Sequence, residues 1–112
     1  MDSIRQQKAS RLIQKELAEI FLLDGKNMFG NAMITVTIVR LSPDLSVAKA
    51  YLSLFGVKDR DSLFKDIQIY TPEIRKILGK RIGKQVRIIP ELKFFVDDSL
   101  DYIEKIDQAL KQ

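Results

Sequence analysis

Cysteine and histidine are both absent from the 112 residues. Without cysteine there is no disulfide framework, thiolate metal site or cysteine nucleophile. Without histidine the usual general base near neutral pH and the commonest zinc ligand are missing, and the familiar hydrolase triads go with them. Long hydrophobic runs are missing too. The longest, Ile20 to Leu23, falls far below membrane-spanning length, and the opening MDSIRQQKAS has no apolar core of a secretory leader. A cytoplasmic address with no membrane partner is the expectation.

What is present is the composition of a folded protein: 46% hydrophobic and 30% charged residues, five glycines and three prolines. A chain of this length should bury roughly two-thirds of its unfolded surface, enough for one core and too little for a second. One domain over residues 1–112 is expected. The 19 Lys and Arg outnumber the 15 Asp and Glu, for a net charge of +4. Such an excess favours polyanionic partners, but where the charge sits decides more than its total.

From Ile4 to Leu23, Ala9, Ile13, Leu17, Ile20 and Phe21 gather on one side of a helical wheel, with Arg5, Lys8, Arg11 and Lys15 on the other. Ser3 can cap that helix. DGKNMFGN, with Gly25, Asn27, Gly30 and Asn31, then reads as a loop. Met33 to Leu41 is dense in β-branched residues, and Val47 to Phe55 puts Ala48, Ala50, Leu52 and Leu54 on one face; both read as strands. Ser42-Pro43 between them suits a type I turn, which makes the pair an antiparallel hairpin.

A short helix from about Ser62 to Tyr70 carries Leu63, Ile67 and Tyr70 at helical spacing, and Pro72 ends it. Proline disfavours helical geometry in the residue before it yet is comfortable in a first turn. Thr71 is therefore the expected N-cap of a second helix that buries Ile74, Ile77, Leu78 and Ile82 and stops near Gly83. Arg81 falls in the apolar sector of that helix and must snorkel or lie at its margin. Val86 to Val96 reads as a third strand, with Pro90 arguing for an edge or a bulge. A last helix is expected from about Ser99 to Lys111. The order α-β-β-α-α-β plus a C-terminal helix predicts an α+β fold, with helices packed on one face of a three-stranded sheet.

The stretch from 75 to 87 holds Arg75, Lys76, Lys80, Arg81, Lys84 and Arg87 with no acid among them. Six cations in 13 positions is poor design for solubility, which mixed signs serve better, and points to phosphate binding. The basic face of the first helix, Arg5, Lys8, Arg11 and Lys15, reads equally as a solvated surface or as part of the same site.

In KASRLIQKELAEIF, VTIVRLSPDLSVAKAYLSLFG, IRKILGKRI and IPELKFFVDDS the chain resembles bacterial ribosome-binding factor A, from about Arg5 to Leu110. The hairpin segment followed at the right distance by the last segment is the specific part. The resemblance implies a type II KH-like domain that binds the immature 30S small ribosomal subunit and its 16S rRNA during late maturation and rRNA processing. It also implies importance in the cold, and neither catalysis nor a cofactor, metal or small-molecule substrate. A monomer is expected. Ordinary KH domains clamp nucleic acid with a GxxG loop, and the nearest pair here, Gly79 and Gly83, has three residues between and lies in or at the end of a helix. Where the family has an interrupted Ala-x-Gly at its helix break, this chain has Tyr70, Thr71 and Pro72, and a bend is expected to survive.

Aromatic residues could stack on bases. Phe94 and Phe95 adjoin in a strand and point to opposite faces, so at least one belongs to the core. Phe29 and Tyr51 are the better exposed candidates. Asp97, Asp98, Asp101 and Glu104 form the one dense carboxylate group, which resembles what a metal-dependent nuclease needs. Capping of the last helix accounts for it more simply.

Overall fold

A computed structural model of the protein describes residues 3–30 and 32–97. The described elements are α1 (Ile4–Leu23), α2 (Gly25–Phe29), β1 (Met33–Leu41), β2 (Val47–Phe55), α3 (Arg60–Ile69), α4 (Thr71–Ile82) and β3 (Glu91–Val96). The expected last helix lies outside the described residues.

Helix α1 begins where the sequence places it. Ser3 accepts from the Gln6 amide while the Gln6 side chain accepts from the Ser3 amide, a reciprocal capping box. Gln6 also reaches the sheet, where its Nε2 donates to the carbonyl of Leu41 at 3.1 Å from a buried side chain. Two turns on, Gln14 Nε2 donates to the carbonyls of Val36 and Thr37. These are the residues where the β1–β2 register slips, between Val36 and Ile38. A bulge leaves backbone groups without ladder partners, and the glutamine supplies one. Both glutamines thus bind α1 to the backbone of β1.

The sheet has the order β1-β2-β3, with β1 antiparallel and β3 parallel to the central β2. The hairpin turn is closed by the Leu45 amide donating to the Ser42 carbonyl at 2.9 Å, with Pro43 in its second position. Asp44 Oδ1 accepts from Ser42 Oγ, Ser46 Oγ and the Ser46 amide, which locks the turn. Those bonds favour the ionised carboxylate, Ser42 contributing most, and lower its pKa to about 2. Gly30 (φ 68) and Gly56 (φ 75) take the left-handed backbone needed to leave α2 and β2.

Ala48, Ala50, Leu52 and Leu54 present one face of β2 to the core, beside Val36, Val39 and Leu41 of β1 and Leu92 and Phe94 of β3. Ile13, Leu17 and Ile20 of α1, Ile67 of α3, and Ile74, Leu78 and Ile82 of α4 cover that face, each with at most 1% of its surface exposed. Burying such a side chain is worth about 1.5–3 kcal/mol, so this layer dominates the stability of the fold.

Four local expectations are corrected. DGKNMFGN holds a five-residue helix, α2, where a loop was expected; Phe29 at its end packs on Phe21, and the capping amide of Gly30 donates to the carbonyl of Lys26. The third strand starts at Glu91 and not at Val86, because the carbonyls of Ile89 and Pro90 accept from the Arg75 guanidinium and Pro90 brings no amide to a ladder. The strand does lie at the sheet edge. Thr71 is not the N-cap of α4. It is already helical, its Oγ1 donates back to the carbonyl of Ile67, and Tyr70 (ψ 0) both ends α3 and starts α4. Phe29 is half-buried between two other rings and is not an exposed platform.

Candidate nucleic-acid interface

Arg5, Lys8, Arg11 and Lys15 all stand exposed on the outer side of α1. The spacing that buries Ile13, Leu17 and Ile20 turns these four to solvent. On α4 the same logic, with Ile74, Leu78 and Ile82 inward, exposes Lys76 and Lys80, and Lys84 follows just past the cap. Lys76, Lys80 and Lys84 are four residues apart and make no ion pair among the described residues.

The two arginines of α4 behave differently from its lysines. Arg75 donates from Nε to the Pro90 carbonyl at 3.1 Å and from Nη2 to the Ile89 carbonyl at 2.8 Å. It straps the 83–90 segment onto α4 and makes no ion pair among the described residues. Arg81 is half-buried: Nε meets Glu16 Oε2 at 2.6 Å and Nη2 pairs with Glu19, both on α1. Its margin position is resolved as a bridge between helices. The run without acids is therefore partly neutralised through space, by carboxylates about 60 residues earlier in the chain.

Arg87 joins the other cluster. With Arg5 and Lys8 it lines a groove of about 540 Å³ between α1, the hairpin turn and the 85–90 segment. Asp44 is the sole acid of that lining among the described residues, and its carboxylate is already held by Ser42 and Ser46. The described lining is mostly apolar, with Leu12, Ile13, Leu41, Leu45, Val86 and Ile88 among it, and the three cations give the groove a place for a phosphate oxygen.

At the helix break, Tyr70 sets its ring edge-to-face against Phe29 with centroids 5.5 Å apart, continuing a row through Phe21 to Phe94. Thr71 is tied to Ile67, and Pro72 occupies the first turn of α4. The break is an anchored joint in which Tyr70 remains 38% exposed. Gly79 lies inside α4 and Gly83 caps it, so this pair forms no clamping loop. Phe94 is core and Phe95 points out, stacked on Tyr51. Asp97 accepts from Thr37 Oγ1 at 2.7 Å, and Asp98, Asp101 and Glu104 lie outside the described residues.

Sequence reading missed three cations. Arg40, Lys49 and Lys93 are exposed and lie in register across the three strands. Each stands alone in its own segment, and the signal that unites them is strand pairing.

A family model for ribosome-binding factor A matches residues 5–110. The ribosome-binding factor A of Cytophaga hutchinsonii is 53% identical over 112 residues, spanning 100% of this chain and 84% of that protein. That of Flavobacterium johnsoniae is 44% identical, spanning 98% and 85%. The crystal structure of ribosome-binding factor A from Thermus thermophilus superposes with a TM-score of 0.65 at 25% identity, over 81% of this chain and 94% of that one. A homology model of the Thermus thermophilus factor, fitted into the cryo-electron-microscopy map of its complex with the 30S subunit, gives a TM-score of 0.61 at 25% identity, over 78% and 89%. The element order, the sheet and the helical layer agree with this KH-like group of structures, and the match runs through nearly every residue: the chain belongs to the ribosome-binding factor A family.

Proposed function

We propose that this chain is a noncatalytic assembly factor that docks, as a monomer in the cytoplasm, on the immature 30S subunit. There it contacts 16S rRNA and assists late maturation and rRNA processing, with its greatest importance in the cold. The observation that carries the reading is the Thermus relative fitted into the map of a 30S complex. The geometry supports it: Lys76, Lys80 and Lys84 form an exposed ridge without carboxylate partners among the described residues, and Arg5, Lys8 and Arg87 share a cleft. Both suit the phosphate backbone of folded RNA, where position and not base identity is read. Arg11 and Lys15 extend the exposed charge along α1, and Arg75 adds its charge, without an ion pair among the described residues, at the start of α4. Arg81 contributes by holding α4 against α1.

Sedimentation of the purified chain with ribosomal particles tests this. Co-migration with free or immature small subunits, and little with complete ribosomes, is expected. Comparable affinity for any structured RNA of the same size would instead make the chain a general KH-like RNA-binding or chaperone module.

A further inference from the structure

Strand pairing builds two rows on the face of the sheet turned away from the described helices. In one, Arg40 pairs with Lys49 and Lys49 with Lys93. In the next, two residues along each strand, Ile38 pairs with Tyr51 and Tyr51 with Phe95. The Tyr51 and Phe95 rings stack at 5.3 Å with 25° between their planes; Tyr51, expected to be exposed, is half-buried, while Phe95 remains 39% and Ile38 38% exposed. The rows lie about 6.6 Å apart, the rise of two strand residues.

The cationic row is costly for the fold alone. Like charges directly opposite one another destabilise a sheet, and alternating signs would have suited solubility better. None of the three makes an ion pair among the described residues. Among the described residues the neighbouring acids are Glu91, opposite Val47 at the strand end, and Asp97, which accepts from Thr37. Arg40 also lines a second cleft with Arg11, Gln7, Ser10 and Gln14, so the row continues around β1 onto the basic face of α1.

We propose that this exposed sheet face binds an unpaired RNA strand, with phosphates on Arg40, Lys49 and Lys93 and bases against Phe95, whose ring Tyr51 backs. Charge selects a polyanion, and the adjacent ring row selects one with flat faces to stack. A double helix keeps its base faces covered and offers only backbone, whereas an unpaired strand presents both groups at once. This contact is separate from the α4 ridge and is tested separately from it.

The isotope-labelled chain is titrated with an unpaired uridine octanucleotide and, in parallel, with a fully paired RNA hairpin, while amide shifts are followed by NMR. The octanucleotide should move the amides of Ile38, Arg40, Lys49, Tyr51, Lys93 and Phe95, and should still do so in a Lys76→Glu/Lys80→Glu/Lys84→Glu variant. Lys49→Gln/Lys93→Gln should weaken octanucleotide binding about tenfold and reduce its logarithmic salt slope by about 1.4, two single-strand phosphates' worth. Phe95→Leu should weaken it at least fivefold while leaving an abasic octanucleotide unaffected, since one lost stack removes roughly that much. Shifts confined to α1 and α4, equal loss with the abasic strand, or a polyglutamate peptide moving the same amides as strongly would each overturn the proposal.

Discussion

Arg81 Nε on α4 lies 2.6 Å from Glu16 Oε2 on α1, and Nη2 of the same guanidinium pairs with Glu19. This contact joins two helices far apart in the chain and withdraws one cation from the run that looked uniformly available. The hydrogen bond that Arg81 donates to Glu16, ahead of the Coulomb attraction of Glu16 and Glu19, raises the arginine pKa above its ordinary value. A raised pKa means that the arginine's contribution is complete below the ordinary arginine range and is lost only above it, so Arg81 provides no pH switch near neutrality.

Arg81→Leu should lower stability by about 1 kcal/mol, between the worth of an exposed pair and that of a buried one, read as a lower urea midpoint. Subunit association of the folded variant should hold. Lys76→Glu/Lys80→Glu/Lys84→Glu should do the reverse: an unchanged urea midpoint, weaker association, and a salt slope shallower by about 2 to 3 for three lost phosphate contacts. If Arg81→Leu abolished association at unchanged stability, this division of labour would be wrong.

The two glycines of the α4 end should respond with opposite signs to the same change. A Cβ at Gly79 would meet Ile89 Cγ1 at 3.5 Å, an ordinary contact, so Gly79→Ala should stabilise by about 0.5–1 kcal/mol through helix propensity. A Cβ at Gly83 would come within 2.6 Å of the Gly79 carbonyl oxygen, which has to move. Gly83→Ala should therefore destabilise by about 1–3 kcal/mol. Thermal unfolding of both variants decides the matter, and equal shifts in one direction would refute the reading.

Asp44 should report the hairpin turn directly. Its folded pKa of about 2 lies below the ordinary 3.8, so its contribution is complete above the ordinary value and fades as pH falls through the folded one. The carboxyl carbon signal of Asp44 should titrate near pH 2 in the folded protein and return to the ordinary range in Ser42→Ala/Ser46→Ala. A midpoint near the ordinary value in the parent chain would mean that the hydroxyls are not bound to the carboxylate in solution.

Much of this fold is legible in local sequence because local physics decides it. Helix α1 has a capping serine, an apolar stripe and a clean polar face, and its observed limits, Ile4–Leu23, are those read from the pattern. The hairpin follows from β-branched runs around Ser42-Pro43, and the interruption at Tyr70, Thr71 and Pro72 follows from proline. Where local reading failed, distant contacts had intervened. Val86 to Pro90 has strand-like composition, but Arg75 takes two of its carbonyls. DGKNMFGN has loop composition, but Phe29 finds Phe21 and Tyr70 to pack against. Thr71 has a capping side chain, and its hydroxyl turns back to Ile67 instead.

By itself the sequence determined that no cysteine or histidine chemistry is available, that the chain carries the segments of the ribosome-binding factor A family, and which helix faces are apolar and which cationic. Those properties follow from residue identity and from spacing within a few turns. Only the tertiary structure decided which cations are engaged by carboxylates among the described residues and which converge. Electrostatic pairing depends on distance through space and not along the chain, so Arg81 is engaged by carboxylates remote in sequence, Arg5, Lys8 and Arg87 converge on one cleft, and Arg40, Lys49 and Lys93 become one row when three strands fall into register.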